Sequence, residues 1–224
     1  MLDLPPAFLK DAFKNAVVGF YRVFRPAKTF VFDSREYRYF YHPYNLAWRN
    51  ERSVEIPIAL DYLRAYDGKA VLEVGNVLSH YVEVEHDVLD KYEDGPGIIN
   101  EDAVDFHPDR KYDLIVSVST IEHIGWDESP RDPDKARATI ENLRGLLAPG
   151  GELFMTAALG LNPAFDRLIE AGTLHFENVY AFRRLGRGNE WVLEDIGSVL
   201  GTSYAKRSFR ANAIVIGSLR ERHS

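Results

Sequence analysis

Residues 70–76 (AVLEVGN) decide the fold, because they lead a short apolar strand directly into a turn at Gly75. The rest of the chain alternates helix-like segments at 54–66 and 133–147 with strand-like segments at 88–89, 97–99, 113–119, 152–157, 190–194 and 211–219. Strands that alternate with helices over short connections are typical of a doubly wound sheet. We therefore predict an α/β fold with a mostly parallel, seven-stranded sheet, whose last two strands pair as an antiparallel hairpin at its edge.

The composition is that of an ordinary globular chain, and it excludes several kinds of site. The 224 residues are 46% hydrophobic and 27% charged, close to the roughly 45–50% and about 25% of average globular proteins. Cysteine is absent, which excludes disulfides, thiolate metal sites and cysteine nucleophiles. A net charge of −7 disfavours nucleic-acid binding, and the lack of cysteine, of an apolar span and of a signal-peptide pattern predicts a cytoplasmic protein.

The chain divides into an N-terminal cap at 1–53 and a main domain at 54–224, in which residues 160–188 form an insertion. Residues 7–24 carry apolar side chains at three- and four-residue spacing, which predicts an amphipathic helix. The first thirty residues hold five basic and two acidic side chains, so this helix could contact a membrane surface. Packing on the main domain, or on a second copy in a homodimer, is the alternative that we favour.

The turn at Gly75 lacks the spacing G-x-G-x-x-G, which disfavours a pyrophosphate cradle and hence a dinucleotide. Polar side chains close the next two strands: Asp90 follows one, and Glu101 and Asp102 follow the other. Ligands of open α/β sheets lie beyond the carboxyl ends of the strands. At that edge Asp90 could accept both hydroxyls of a ribose, and Asp102 or Glu101 could accept an adenine amino group.

Four motifs follow one another along the chain: VLEVGN at 71–76, INEDAVDF at 99–106, YDLIVSVSTIEHIG at 112–125 and LLAPGGELFMT at 146–156. In this order and spacing they resemble the motifs of class I S-adenosylmethionine-dependent methyltransferases. The resemblance covers residues 54–159, about half of the chain, and is greatest for uncharacterised members that contain the string GNVLSHY, here at 75–81. It implies a Rossmann-like fold, S-adenosylmethionine as the cofactor and methyl transfer as the reaction.

The resemblance also implies roles for individual residues at the methionine end of the cofactor. Glu73 would hold the amino group of the methionine moiety, the backbone of Gly75 and Asn76 would pass close to that moiety, and Ser119 would lie nearby. Asp90 would bind the ribose, as its position after the strand already suggests.

At the adenine end, the resemblance assigns the amino group to Asp102 or to Glu101 beside it. Two features depart from the family. The usual second glycine is missing, because Asn76-Val77 replaces a glycine-containing loop, and only about ten residues are free for the first crossover, whereas a crossover with its helix needs roughly 10–12 or more. We therefore predict a stunted first helix, with His80 over the cofactor and Asp87 as the alternative ribose acid.

The acceptor is expected near the end of the fourth strand. The aromatic segment at 37–52 would cover it, and the 160–188 insertion would form the other wall. His123 is the candidate general base, because histidine ordinarily titrates near neutral pH, and His80 is the second candidate. A role of His123 in packing or capping is the alternative. Candidates for binding the acceptor are Tyr41, Tyr44, Trp48, Arg49, Arg52 and Trp126. Aromatic faces beside polar groups suit a sugar, and the alternative is an aromatic satellite of the core.

The sequence thus predicts methyl transfer to a small molecule, foremost O-methylation of a hydroxyl on a sugar, glycan or glycosylated metabolite. N-methylation of a small amine and a non-catalytic module that only binds S-adenosylmethionine are the alternatives. Some family members hold Mg²⁺ through Glu-x-x-Glu-His, but Ser119 stands at the first glutamate position, so we predict no metal.

Overall fold

The computed structural model describes residues 7–24, 28–186, 188–205 and 210–221. The strands within these ranges are β1 (Thr29–Phe32), β2 (Arg35–Arg38), β3 (Val71–Val74), β4 (Asp87–Leu89), β5 (Ile98–Ile99), β6 (Tyr112–Val118), β7 (Leu147–Ala158), β8 (Asn178–Leu185), β9 (Glu190–Glu194) and β10 (Ala213–Arg220). The α-helices are α1 (Ala7–Phe24), α2 (Arg52–Ala65), α3 (Lys135–Gly145), α4 (Pro163–Glu170) and α5 (Ile196–Val199).

Strands β3 to β10 form one sheet in the order β5-β4-β3-β6-β7-β10-β8-β9. The pairings from β5 to β7 are parallel, and those of β10 and β9 are antiparallel. The chain runs outward from β3 through β4 to β5 and then returns to place β6 on the other side of β3. The predicted α/β fold with a mostly parallel sheet is confirmed, and its topological switch point lies between β3 and β6.

The prediction of seven strands with a terminal hairpin was wrong in two respects. The sheet has eight strands, because the segment expected as an insertion contributes α4 and the strand β8. Strands β9 and β10 do not pair with each other, since β10 lies between β7 and β8 and the edge hairpin is β8–β9. The burial of the strands explains this arrangement: β10 is buried at seven of its eight positions, as an internal strand must be, whereas β9 is partly exposed.

Both faces of the sheet are covered. On one face α3 and α4 pack through Ile140, Leu143 and Phe165 against the strands, and on the other α2 and the β1–β2 hairpin pack through Ile58 and Phe30. The hairpin is held by ring contacts with β8, among them one of 5.8 Å between the Phe30 and Phe182 centroids. Within residues 1–53, the β1–β2 hairpin therefore extends the core.

A proline in α2 leaves a helix carbonyl free to bind the backbone of the aromatic segment. Pro57 has no N–H, so the carbonyl of Ser53 one turn earlier has no partner within the helix. The backbone N–H of Phe40 donates to that carbonyl at 2.9 Å. Residues that follow the hairpin are thus drawn over the start of α2.

The first crossover is as short as the sequence predicts. Between β3 and β4 the chain makes only a 3-10 turn, Leu78–His80, and no α-helix. Segment 75–86 therefore lies as a loop over the carboxyl end of β3.

Helix α1 confirms the predicted helix over 7–24, although its side chains are described only from Phe13 onward, with two gaps. Val18 is buried, and the ring of Tyr21 lies 5.6 Å from that of Tyr41, whereas Phe13 and Phe20 are 70% and 56% exposed. The helix thus contacts the rest of the chain along only part of its apolar face. Membrane contact and homodimer formation stay predictions, and none of the helices in the described ranges is both long and apolar enough to cross a membrane.

Candidate functional site

The site begins at the turn after β3, where Gly75 has a φ of +86°. A Cβ atom at this position would lie 2.1 Å from Oγ1 of Thr120, the side chain that follows the end of β6. Only glycine fits such a close approach at a positive φ. The glycine is therefore required by the contact between two strand ends at the switch point.

A cavity of about 300 Å³ opens at this switch point. Its lining comes from the carboxyl ends of β3, β4, β5 and β6 and includes Gly75, Asp90, Lys91, Glu101, Asp102, Thr120, His123, Asp127 and Glu128. Ligand pockets have volumes of roughly 300–1,000 Å³, so the cavity can hold a small ligand. Of the predicted cofactor residues, four line it: Gly75, Asp90, Glu101 and Asp102.

Asp90 follows the end of β4 and joins the loop after β3 to the loop after β4. Its carboxylate accepts backbone N–H bonds from Asn76 at 3.0 Å, Tyr92 at 2.9 Å and Glu93 at 2.8 Å. An ionised carboxylate offers about four lone-pair sites, so a ligand hydroxyl can still be accepted. Asp87, the alternative acid, instead accepts from the Tyr112 hydroxyl at 2.9 Å and is absent from the cavity lining.

Asp102 belongs to a network of four charges that sequence reasoning missed. Lys91 and Lys135 each contact the carboxylates of both Asp102 and Glu128, at 2.6–2.9 Å. Burial opposes ionisation of Asp102, but the hydrogen bonds from Lys135 and Lys91 outweigh it and lower the pKa of Asp102. The same balance lowers the pKa of Glu128, and the two carboxylates raise the pKa of Lys91. The network fixes Asp102 in its charged form at the cavity wall.

Glu73 is absent from the cavity lining, and its role at the methionine moiety stays a prediction. Its side chain has no solvent exposure, and its Oε1 accepts from the backbone N–H groups of Val77 at 2.8 Å and Leu78 at 2.7 Å. Its Oε2 lies 2.9 Å from Nε2 of His86. Glu73 therefore holds the short crossover in place and does not line the cavity.

Asn76 and Ser119 are also absent from the cavity lining. Asn76 is buried, donates its backbone N–H to Asp90 and accepts from the Ser79 hydroxyl through its side chain. Ser119 is buried and donates its hydroxyl to Oε1 of Glu55 at 2.6 Å. The side chains of both residues are engaged within the protein, and their roles beside the cofactor stay predictions.

His123 lines the cavity, and its Nδ1 lies 2.6 Å from Oδ2 of Asp127. A carboxylate at Nδ1 favours the tautomer with the proton there, which leaves Nε2 as an acceptor. His80, the second candidate base, is absent from the lining: its ring stacks on Tyr44 at 4.3 Å and its Nε2 lies 3.3 Å from Glu93.

The six predicted acceptor-binding side chains do not form one surface. Trp48 is buried in the core, Arg52 is buried in an ion pair, and Arg49 is exposed. The guanidinium of Arg131 covers the Trp126 ring at 4.0 Å.

Tyr44 and Tyr41, the other two, lie in the aromatic segment over the first crossover and beside α1. The Tyr44 ring contacts His80 and lies 5.5 Å from Tyr81, and Tyr41 contacts Tyr21 of α1. Burial, and then the charge of Glu93, raise the pKa of Tyr44. The aromatic segment therefore covers the crossover, as a satellite of the core does.

A second group of polar side chains lies beneath this covering, at the ends of β6 and β7. We call it the buried acidic cluster: Glu51, Arg52, Glu55, Ser119, Glu122 and Thr156. Glu55 is at its centre, with its carboxylate accepting from Ser119 at 2.6 Å, Thr156 at 2.8 Å and Arg52 at 2.7 Å. Glu51 accepts from the backbone N–H of Ala211 at 3.0 Å. An acid on the buried face of a predicted helix, as Glu55 is, was the signal that could have revealed it.

The charges in this cluster perturb one another. Burial, followed by the charge of Glu55, raises the pKa of Glu51. Burial lowers the pKa of Arg52, but the carboxylates of Glu55 and Glu51 overcome this and raise it. Burial raises the pKa of Glu122 to about 7. Among the described residues, no group of three or more acidic or histidine side chains is arranged to hold a metal ion.

Solved structures resemble the fold of this chain, but no comparison assigns the chain to a protein family. No protein-family model and no curated protein matches the chain. The N-methyltransferase NodS of Bradyrhizobium japonicum WM9, solved with S-adenosyl-L-homocysteine, is 15% identical with a TM-score of 0.46, over 76% of this chain and 87% of NodS. A SAM-dependent methyltransferase of Archaeoglobus fulgidus is 14% identical with a TM-score of 0.48, over 78% of this chain and 96% of its own. Because these TM-scores are below 0.5, the functional argument rests on the site's own residues.

Proposed function

We propose that the protein transfers a methyl group from S-adenosylmethionine to a small molecule. The observation that carries the proposal is the cavity at the switch point between β3 and β6, with Asp90 at the end of β4 and Asp102 after β5. Ligands of open α/β sheets bind at such a point. A carboxylate at each of the two positions matches the ribose hydroxyls and the amino group of an adenine nucleoside.

The charge of the cavity fits the same ligand. Five carboxylates line it, those of Asp90, Glu101, Asp102, Asp127 and Glu128, and Lys91 is the one lysine or arginine among the described lining residues. S-adenosylmethionine supplies an electrophilic methyl group on a sulfonium cation. A surplus of carboxylates favours a cationic ligand and disfavours phosphate groups, which agrees with the absence of a glycine-rich phosphate loop.

The acceptor predicted from the sequence is the hydroxyl of a sugar or glycosylated metabolite. The His123–Asp127 pair supports this prediction, because an oriented imidazole with an accepting Nε2 can remove the hydroxyl proton. The prediction requires the acceptor to enter the same cavity as the nucleoside, since that is where His123 lies.

Calorimetric titration with S-adenosylmethionine and S-adenosylhomocysteine tests the proposal. We expect micromolar binding by the natural chain and at least about tenfold weaker binding by Asp90→Asn, the cost of a lost charge-assisted hydrogen bond. Asp94→Asn is the matched control, because it removes an exposed carboxylate four residues away. Thermal unfolding verifies that both variants are folded.

The outcomes separate the candidate functions. Absence of binding by the natural chain refutes the proposal. Binding without consumption of S-adenosylmethionine across a panel of sugars and amines favours the non-catalytic module. Equal loss of affinity in Asp90→Asn and Asp94→Asn would show that Asp90 has no specific role.

A further inference from the structure

Glu122 has one carboxylate oxygen that nothing in the described residues satisfies. Its Oε1 accepts from the backbone N–H of Ala158 at 2.8 Å, whereas its Oε2 is buried and has no hydrogen-bond partner. The side chain has no solvent exposure. A buried polar atom without a partner is costly, so the position calls for a hydrogen-bond donor.

A second buried atom without a partner lies over the same cluster. The hydroxyl of Tyr81 is shielded from solvent and makes no hydrogen bond. The charges of Arg52 and Glu55 act on it, and burial raises the pKa of Tyr81 to about 12. The hydroxyl therefore stays neutral and can accept a hydrogen bond.

Glu122 has no ion-pair partner among the described residues. Of the guanidiniums near the buried acidic cluster, that of Arg52 is paired with Glu55 at 2.7 Å, and those of Arg184 and Arg210 act on Glu51. His123 next to Glu122 lowers the pKa of Glu122, but burial outweighs it and Glu55 adds to the rise. Burial, followed by the charges of Glu51 and Glu122, raises the pKa of Tyr204 to about 12. The Tyr204 hydroxyl is therefore neutral and adds no positive charge. A further cation would be stabilised there.

The cluster adjoins the proposed cofactor cavity along one short segment. Thr120 and His123 line the cavity, while Ser119 and Glu122 of the same segment belong to the cluster. Both lie at the carboxyl edge of the sheet, the cavity at β3 and β6 and the cluster at β6 and β7. The cavity and the buried acidic cluster are therefore separated only by residues 119–123.

Building on the proposed methyl transfer, we propose that the acceptor group is an amine, which binds as its ammonium form among Glu122, Glu55 and Tyr81. An ammonium group has three N–H donors and no acceptor, which matches the unsatisfied Oε2 of Glu122 and hydroxyl of Tyr81. A hydroxyl acceptor would bring no positive charge to Glu122. The rings of Phe40, His42 and Tyr44 lie against Tyr81, so this aromatic segment has to move for the acceptor to enter.

The proton and the bonds balance in this scheme. The ammonium gives one proton to the carboxylate of Glu122, and the freed nitrogen lone pair forms the N–C bond with the methyl group. The C–S bond breaks at the same time, and the sulfur leaves as a neutral thioether. Glu122 thereby acts as the proton acceptor in place of His123.

The test follows the titration of Glu122 by ¹³C NMR in protein labelled at the glutamate carboxyl carbons, with Glu122→Gln to assign the resonance. Methylammonium chloride is the cationic probe, methanol its neutral counterpart, and potassium chloride the control for ionic strength. We expect methylammonium to lower the midpoint by at least about one unit, since an opposite charge in contact shifts a carboxyl by roughly 1–3 units. Potassium chloride and methanol should leave it unchanged.

An effect of methylammonium no larger than that of potassium chloride, or an equal effect of methanol, overturns the amine proposal. Calorimetry with S-adenosylhomocysteine on the natural chain and on Glu122→Gln separates this failure from that of the proposed function. Retained binding with no methylammonium effect refutes only the amine. Absent binding by the natural chain refutes the methyl transfer on which the amine proposal depends.

Discussion

The buried carboxyl of Glu122 should make the stability of the protein depend on pH in a specific window. Burial raises its pKa from an ordinary value of 4.5 to about 7 in the folded chain. Between these two values the folded state holds the proton more strongly than the unfolded state does. The free energy of unfolding therefore falls as the pH rises from 4.5, and the loss is complete above pH 7.

The magnitude follows from the difference between the two pKa values. A rise from 4.5 to about 7 corresponds, at 1.36 kcal/mol per unit, to a loss of about 3 kcal/mol. Glu122→Gln removes this titration and keeps the oxygen that accepts from Ala158. Its amide nitrogen replaces the unsatisfied oxygen, at a cost of about 1–3 kcal/mol that does not vary with pH.

Urea unfolding at pH 4.5, 6 and 8, followed by tryptophan fluorescence, measures the effect. We expect the difference between the natural chain and Glu122→Gln to change by about 3 kcal/mol in favour of the variant between pH 4.5 and pH 8. Glu83→Gln, the same substitution at an exposed position, should follow the natural chain throughout. If the free energy of unfolding changed with pH in the same way in all three proteins, the raised pKa of Glu122 would be refuted.

Three further results are expected. Lys135→Met leaves Lys91 as the one lysine in contact with Asp102 among the described residues. Urea unfolding should show a loss of about 1–2 kcal/mol in the free energy of unfolding, and calorimetry should show weaker binding of S-adenosylhomocysteine. Gly75→Ala should destabilise by at least about 2 kcal/mol, because its Cβ would lie 2.1 Å from Thr120 at a φ of +86°, and adding Thr120→Ala should recover part of the loss in the same measurement. His123→Ala should leave turnover of an amine near that of the natural chain, whereas a fall of about 10²–10⁴-fold would favour the hydroxyl acceptor.

Much of the sheet could be predicted from the sequence, because buried parallel strands are continuous apolar runs that local pattern reveals. Strand β6 is the example, buried at six of its seven positions. Strand β8 was missed for the same physical reason, since the sequence NVYAFRRL is buried at only two of eight positions and contains two arginines. Its position in the sheet is fixed by pairing with β10, which is distant in sequence.

The cavity was predictable only in part. Asp90 and Asp102 could be placed because each closes a strand, and the ends of parallel strands share one edge. The lysines that hold Asp102 could not be placed, because Lys91 follows β4 and Lys135 begins α3, and the two meet only in the folded chain. Glu122 stands beside His123 in the sequence, yet the pattern does not show that one is sealed in the interior while the other faces the cavity.

The short crossover explains the internal contacts of Glu73, whose role beside the cofactor stays a prediction. Free backbone N–H groups at the start of a crossover helix are a ready site for an anion. Here no α-helix forms, and the N–H groups of Val77 and Leu78 are both satisfied by Oε1 of Glu73. Glu73 thus occupies the place that a ligand carboxylate could take. If S-adenosylmethionine binds as proposed, its carboxylate must be recognised elsewhere. The 3-10 turn in place of an α-helix and the internal contacts of Glu73 both follow from the short connection between β3 and β4.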